Sequence, residues 1–256
     1  MLLNINLSFK QKLILSLLFF MLIGFLLPTP EIHVDKAYCS ISWQDWLGCS
    51  PLGENMLLMV IKGTWITLVS AFLSRLLSVF LSFLGLAFAH FTSVFGNISE
   101  KAIVESFMSI PSLLLAMALG FSFGSGLFSI VLAIGISEWA FNQRWLLTRL
   151  QEYYALPYYQ FAQDAGASKF HLFSWHIVPE LNKDLIFLFF VHFPGTVLTV
   201  AALEFLGLRT STEILGLGYM VSAYKDYIFL VPHLAIVPII SITLLLITVI
   251  PLKRKT

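Results

Sequence analysis

Three ionisable side chains, Arg75, His192 and Glu204, stand inside long apolar runs and are the first candidates for chemistry. Charge in hydrocarbon is expensive, so such residues pair with each other, contact a partner span or line a polar path. All three are therefore candidates for a translocation path. Arg75 lies about midway along its run, where its side chain cannot easily reach an interface, and a buried partner is expected for it. Glu138 and Arg144 lie near the end of another run, where interfacial positions are equally open to them. Catalytic signatures are absent: the chain holds no G-x-x-x-x-G-K-S/T, no H-E-x-x-H and no G-x-S-x-G. No catalytic residue is assigned, and no cofactor is expected on this chain. Cys39 and Cys49 share one polar segment. They could close a short loop in an oxidising compartment or stay as two free thiols. With His33 they match no ligand spacing, and no metal site is expected.

The elements that must position these residues are apolar helices. Of 256 residues, 58% are hydrophobic and 11% charged, far from the roughly 25% charge of soluble domains. The chain is an all-α integral membrane protein with membrane lipid as its surroundings. A net charge of +1 without a basic patch excludes a nucleic-acid partner. A helix needs about 20 apolar residues to cross, and the uncharged runs give six transmembrane helices in one domain, 1–256. They are Leu13–Pro30, Thr64–His90, two spans within Ser106–Ser137 broken by a tight turn at 120–126, Leu185–Leu206 and Tyr227–Leu252. The first resembles a signal peptide but lacks a small-x-small cleavage site, so it is read as a retained helix. Of fifteen Lys and Arg, ten fall in the termini and the loops after spans two and four, against Lys36, Arg209 and Lys225 opposite, with Lys62 and Arg75 assigned to span two. Positive residues stay on the cytoplasmic side, so both termini are expected there and Cys39 and Cys49 outside.

The longest polar interruption, 143–184, is then a cytoplasmic loop. Its middle, Tyr158 to Pro179, reads as helix, turn and helix. Tyr159, Ala162 and Ala165 fall at helical spacing, Gly166 can take the left-handed conformation that ends a helix, and Ser168 is a good N-cap for the next. Pro179 marks a break or the first turn of a new helix. Such a hairpin between spans is a handle for something outside the membrane.

These residues resemble a known family, the permease subunits of bacterial ABC importers for dipeptides, oligopeptides and nickel, in particular the second, shorter permease of the pair. The family's loop pattern E-A-A-x-x-x-G, followed by I-x-P, becomes Gln160, Phe161, Ala162 and Gly166, with Ile177 and Pro179 after them. Gly166, Ala167 and Ser168 stand as the subfamily has them. SPLGENML at 50–57, SIPSLLLAMAL at 109–119 and LEFLGL at 203–208 are similar to further family segments in the same order. The resemblance implies a type I importer permease fold with an EAA-type coupling hairpin, in which Tyr158, Tyr159, Gln160, Phe161, Ala162, Asp164, Gly166, Ala167 and Ser168 meet the ATPase. It further implies a heterodimer with a second permease subunit, two ATPase subunits holding ATP and Mg, and an extracytoplasmic substrate-binding protein. Alternating access in the inner membrane, for peptides, nickel or metal chelates, would follow from the ATPase pushing on the hairpin. Arg209 to Tyr227 would face the binding protein and the pore mouth. The departures are Gln160 for the family's acidic residue, Phe161 for alanine, and Val200 where span five carries an acidic residue, with Glu204 one turn later. Either the importer is divergent or its loop docks a particular ATPase. A non-transport scaffold or assembly factor that kept the fold is the rival reading.

Overall fold

The computed structural model describes residues 24–43, 45–91, 99–211 and 213–249. Most of the expected first span, Leu13–Pro30, and the basic residues at both ends lie outside these.

Eight helices of eight or more residues carry the described chain. Helix α1, Met56–Phe91, runs 36 residues, or about 54 Å at 1.5 Å per residue, which exceeds the hydrocarbon core. Asn55 starts it as an N-cap, its Oδ1 accepting the Leu58 N–H at 3.1 Å. Helices α2, Ser99–Met108, and α3, Ser112–Phe123, follow. Helix α4 is Leu127–Tyr154, α5 is Pro157–Asp164, and α6 runs unbroken over Lys169–Phe205. Helix α7, Leu217–Tyr224, and α8, Pro232–Val249, complete the order. No strand forms among the described residues.

Helices α1 and α6 are each long and apolar enough to cross a membrane, and α8 is a shorter apolar helix. The turn expected at 120–126 is present, with Gly124 and Gly126 at φ +90° and +122°. The expected third span differs from its reading as one helix. The segments Ala102–Met108 and Ser112–Phe123 are bent by 86°. Pro111 lacks an N–H and restricts Ile110 before it, so a regular helix cannot pass through. Pro179 makes no break; it falls in the first turn of the α-helical segment Val178–Phe205, the other position expected for it. A π-helical stretch, Leu172–Ile177, precedes it and lets α6 continue past a residue that cannot donate its bond.

The described chain falls into two compact units. One holds residues up to Phe72, Gly124–Ile130 and Pro194 onward; the other holds Leu73–Phe123 and Val131–Phe193. In the first, the start of α1 packs with α7 and α8 through Met56, Met59, Leu217, Met220 and Leu234. Its polar segment is stapled by a disulfide between Cys39 and Cys49, which decides the pairing that spacing left open. Asp45 lies close to both sulfurs, but the cysteines are bonded to each other and offer no thiolate. In the second unit, Leu86 of α1, Leu146, Leu150 and Tyr153 of α4, Tyr159 of α5, and Leu172, Phe173, Ile177, Leu181 and Leu188 of α6 form one core.

Candidate functional site

Most of the segment 143–184 is helical, and only 155–156 and 165–168 separate α4, α5 and α6. Leu156 is extended, as a residue before proline must be, and Pro157 opens α5. At the other end Gly166 sits at φ +86°. Its N–H donates to the Gln163 carbonyl at 3.0 Å and the Ala167 N–H to the Ala162 carbonyl at 3.1 Å, the paired bonds of a left-handed helix C-cap. Two residues later Ser168 caps α6, its Oγ accepting the His171 N–H at 3.2 Å. The bend glycine and the cap are where the sequence places them.

The hairpin has two faces. Inward, Tyr159, Leu172, Phe173 and Ile177 are buried in the second unit's core, with Ala162 and Ala167 packed on it. Each large apolar side chain buried this way contributes about 1.5–3 kcal/mol, so the hairpin is held firmly. Outward, Phe161 is 76% exposed, Phe170 70% and Trp175 69%, and Gln160, Asp164 and Ser168 are exposed beside them. Tyr158 stacks on His176 at 5.8 Å, which ties the two arms together.

Polar contacts fasten the hairpin to its neighbours. His90 Nε2 lies 3.0 Å from the Lys169 carbonyl. A carbonyl only accepts, so Nε2 carries the proton, and in the neutral ring Nδ1 accepts from the Tyr154 hydroxyl 2.9 Å away. Arg149 Nε donates to Asp184 at 3.1 Å, and the Tyr153 hydroxyl donates to the same carboxylate oxygen. Burial and the Asp184 carboxylate push the Tyr153 phenol well above its ordinary range. Burial also raises Tyr159.

Of the charges in spans, Arg75 is 1% exposed and is held through both terminal nitrogens, while its buried Nε has no hydrogen-bond partner among the described residues. Nη1 meets Glu138 at 3.3 Å, and Nη2 donates to Asn142 Oδ1 at 2.8 Å and to the Leu188 carbonyl at 2.7 Å. Asn142 in turn donates to Ser78 Oγ at 2.7 Å. The expected buried partner of Arg75 is thus Glu138, and one guanidinium joins α1, α4 and α6. His192 stands half-buried on α6, edge-on to Phe141 at 5.5 Å.

Glu204 belongs to the other unit and is completely buried. It accepts from Thr210 Oγ1 at 2.8 Å, from Thr67 Oγ1 at 3.3 Å and from the Gly218 N–H at 3.1 Å. Thr67 Oγ1 itself accepts the Leu217 N–H at 3.1 Å. The first two N–H groups of α7 are therefore capped by side chains from α1 and α6, and the carboxylate sits at the positive end of that helix. A Cβ on Gly216 would run into this carboxylate.

Sequence reasoning missed Asn142, Asp184 and His90, all ordinary polar residues near span ends.

A helical membrane protein with buried charges bracing its spans and a firmly packed polar hairpin between them is of the class of membrane-embedded transport subunits. The chain belongs to the binding-protein-dependent transport system inner membrane component family, whose profile matches residues 81–255. It is 26% identical over 200 residues, 78% of its length, to the glutathione transport system permease protein GsiD of Pectobacterium atrosepticum. It is 27% identical over 186 residues, 72% of its length, to the protein named Probable D,D-dipeptide transport system permease protein DdpC of Escherichia coli. The matches span 66% and 61% of those relatives' own lengths.

Proposed function

We propose that the chain is a six-span permease subunit of an ATP-driven importer in the cytoplasmic membrane, with both termini and the hairpin Tyr158 to Pro179 on the cytoplasmic side. Separate ATPase subunits bind ATP and Mg, a second permease completes the path, and an external binding protein delivers the substrate. The family and the relatives named for glutathione and dipeptide transport support a peptide-class substrate; nickel and metal chelates are the other classes the sequence resemblance allows. In this reading Tyr158, Gln160, Phe161, Asp164, Gly166 and Ser168 lie on or beside the ATPase contact, while Tyr159, Ala162 and Ala167 hold the lever to the bundle. His192 is the path candidate that is only half-buried, and Arg75 and Glu204 brace the helices that move.

The observation that carries the reading is the hairpin's division into a buried inner face and an outer face bearing exposed Phe161, Phe170 and Trp175. Rings exposed to this degree outside a membrane mark an interaction surface. A rigid lever gripped there transmits ATPase closure into α6 with no intervening loop. The test is Phe161→Asp in the co-expressed complex, with Phe229→Asp, at a residue 95% exposed in the other unit, as control. Both variants should reach the membrane normally, and only Phe161→Asp should lose ATPase copurification and uptake. Unchanged copurification and uptake for Phe161→Asp would reject the hairpin as the coupling element. The orientation is checked by reducing intact spheroplasts and labelling with an impermeant thiol reagent: Cys39 and Cys49 should react without lysis.

A further inference from the structure

The uncharged run read as the last span begins at Tyr227, whereas α8 itself starts at Pro232. Its 18 residues make about 27 Å at 1.5 Å per residue, just under the roughly 30 Å of a hydrocarbon core. With α8 crossing, the uncharged turn 228–230 ahead of it, exposed throughout, stands at the bilayer boundary. The disulfide-closed segment is fixed at the same level by two contacts. The Tyr38 and Tyr227 rings lie 6.0 Å apart, and Gly48 approaches α8 so closely that a Cβ there would stand 2.9 Å from His233 Nε2.

This segment is braced from within. Beside the Cys39–Cys49 bond, Asn55 Nδ2 donates to Asp45 Oδ1 at 2.8 Å, and the Gly48 carbonyl accepts the Met56 N–H at 3.1 Å. The frame nevertheless holds its largest apolar rings outward: Trp43 is 95% exposed and Trp46 64%, with Ile41 62% beside them. Trp46 Nε1 donates to the Trp43 carbonyl at 2.9 Å, which ties the two positions into one turn. An indole has a large apolar body and a polar edge, and the headgroup layer of a bilayer accommodates both. The nearby charges, Glu31, Asp35, Lys36, Asp45, Lys225 and Asp226, are mostly acidic, so attraction to anionic headgroups is not what would seat the rings.

We propose that Trp43 and Trp46 seat the disulfide-closed segment in the headgroup layer of the external leaflet, where their partner is zwitterionic phospholipid. The loop then anchors the external ends of α1 and α8 to the bilayer surface. The inference rests on the reading of α8 as a span with Pro232 at its external end, and it adds what covers the outer loop.

The test labels the full chain with 5-fluorotryptophan in phosphatidylcholine nanodiscs and assigns the Trp43 and Trp46 fluorine signals through Trp43→Phe and Trp46→Phe. Trp175, 69% exposed on the hairpin, is the reference, because its ring is as open as theirs and differs in what surrounds it. A lipid carrying a nitroxide near its headgroup should broaden the Trp43 and Trp46 signals at least about twofold more than that of Trp175, and a soluble gadolinium chelate should do the reverse. The same contrast should persist in the transporter assembled with its second permease and ATPase subunits. Trp43 and Trp46 signals relaxed by the chelate as strongly as Trp175, and untouched by the lipid probe, overturn the anchor. A lipid effect seen in the chain alone but lost on assembly also overturns it, since a protein then covers the rings. Broadening of all three signals by the lipid probe supports the anchor and counts against the permease reading of the hairpin instead.

Discussion

Replacing Gly166 isolates one physical term, because a Cβ added there meets nothing within 4 Å. The whole penalty of a side chain comes from φ +86°. A left-handed residue with a Cβ costs about 1–2 kcal/mol, and a β-branched one is less tolerant still. Asparagine is the other residue that commonly closes this type of cap. The expected order of stability is therefore Gly166, then Asn, then Ala, then Val, with alanine about 1 kcal/mol or more below the native residue. That local loss should appear in hydrogen exchange of the Gly166 and Ala167 amides, whose bonds to Gln163 and Ala162 close the cap. Protection should fall about tenfold for each 1.4 kcal/mol. Membrane insertion should hardly change, since the bend lies outside the spans, whereas ATPase copurification and coupled uptake should fall in the same order. If asparagine harms coupling as much as valine, backbone conformation is not the cause. If valine leaves both exchange and coupling untouched, the rigid-lever argument is wrong.

Arg75→Ala should destabilise the chain in detergent by about 3–5 kcal/mol, as removal of one member of a buried pair does. Glu138→Gln should be milder because Arg75 keeps Asn142 and the Leu188 carbonyl; thermal unfolding midpoints give the comparison. Gly216→Ala should lower stability by driving a methyl into the Glu204 carboxylate, and Gly216→Ala with Glu204→Ala should recover part of it in the same assay. The raised Tyr153 phenol sets an alkaline limit. The folded state keeps the phenolic proton where the unfolded state, with an ordinary value of about 10, releases it. That stabilisation is complete below about pH 10 and declines as pH rises further. Tyr153→Phe should flatten the decline in unfolding midpoint above that pH.

Features set by local chemistry were legible in the sequence. Gly166 and Ser168 act through their own backbone and side chain, so the bend and the cap could be placed without knowing what lies nearby. The need of Arg75 for a partner was legible too, because it follows from burial alone. The partners were not, since Glu138 and the Leu188 carbonyl come from 63 and 113 residues away. Glu204 was read as a charge with a path to line or a partner span to contact; that it also caps α7 was not legible, because the Gly216 start of that helix carries no signal for an external carboxylate. The bend at Ser109–Pro111 lay hidden inside an apolar run, where hydropathy measures length but not direction. Cys39 and Cys49 could not be decided from spacing, because bonded and free forms are both compatible with it.

The π-helical stretch Leu172–Ile177 holds one residue more than the same turn of α-helix would need. Removing a single residue there would rewind the turn and rotate everything before it by about 100° about the helix axis, with a shift of about 1.5 Å. Leu172 and Phe173 would then leave the side on which Ile177, Leu181 and Leu188 lie. The bearing of the hairpin is thus stored in winding number, independent of the side chains it displays. A change of one codon's length could re-aim the outer face, with its surface chemistry intact, toward a differently placed partner.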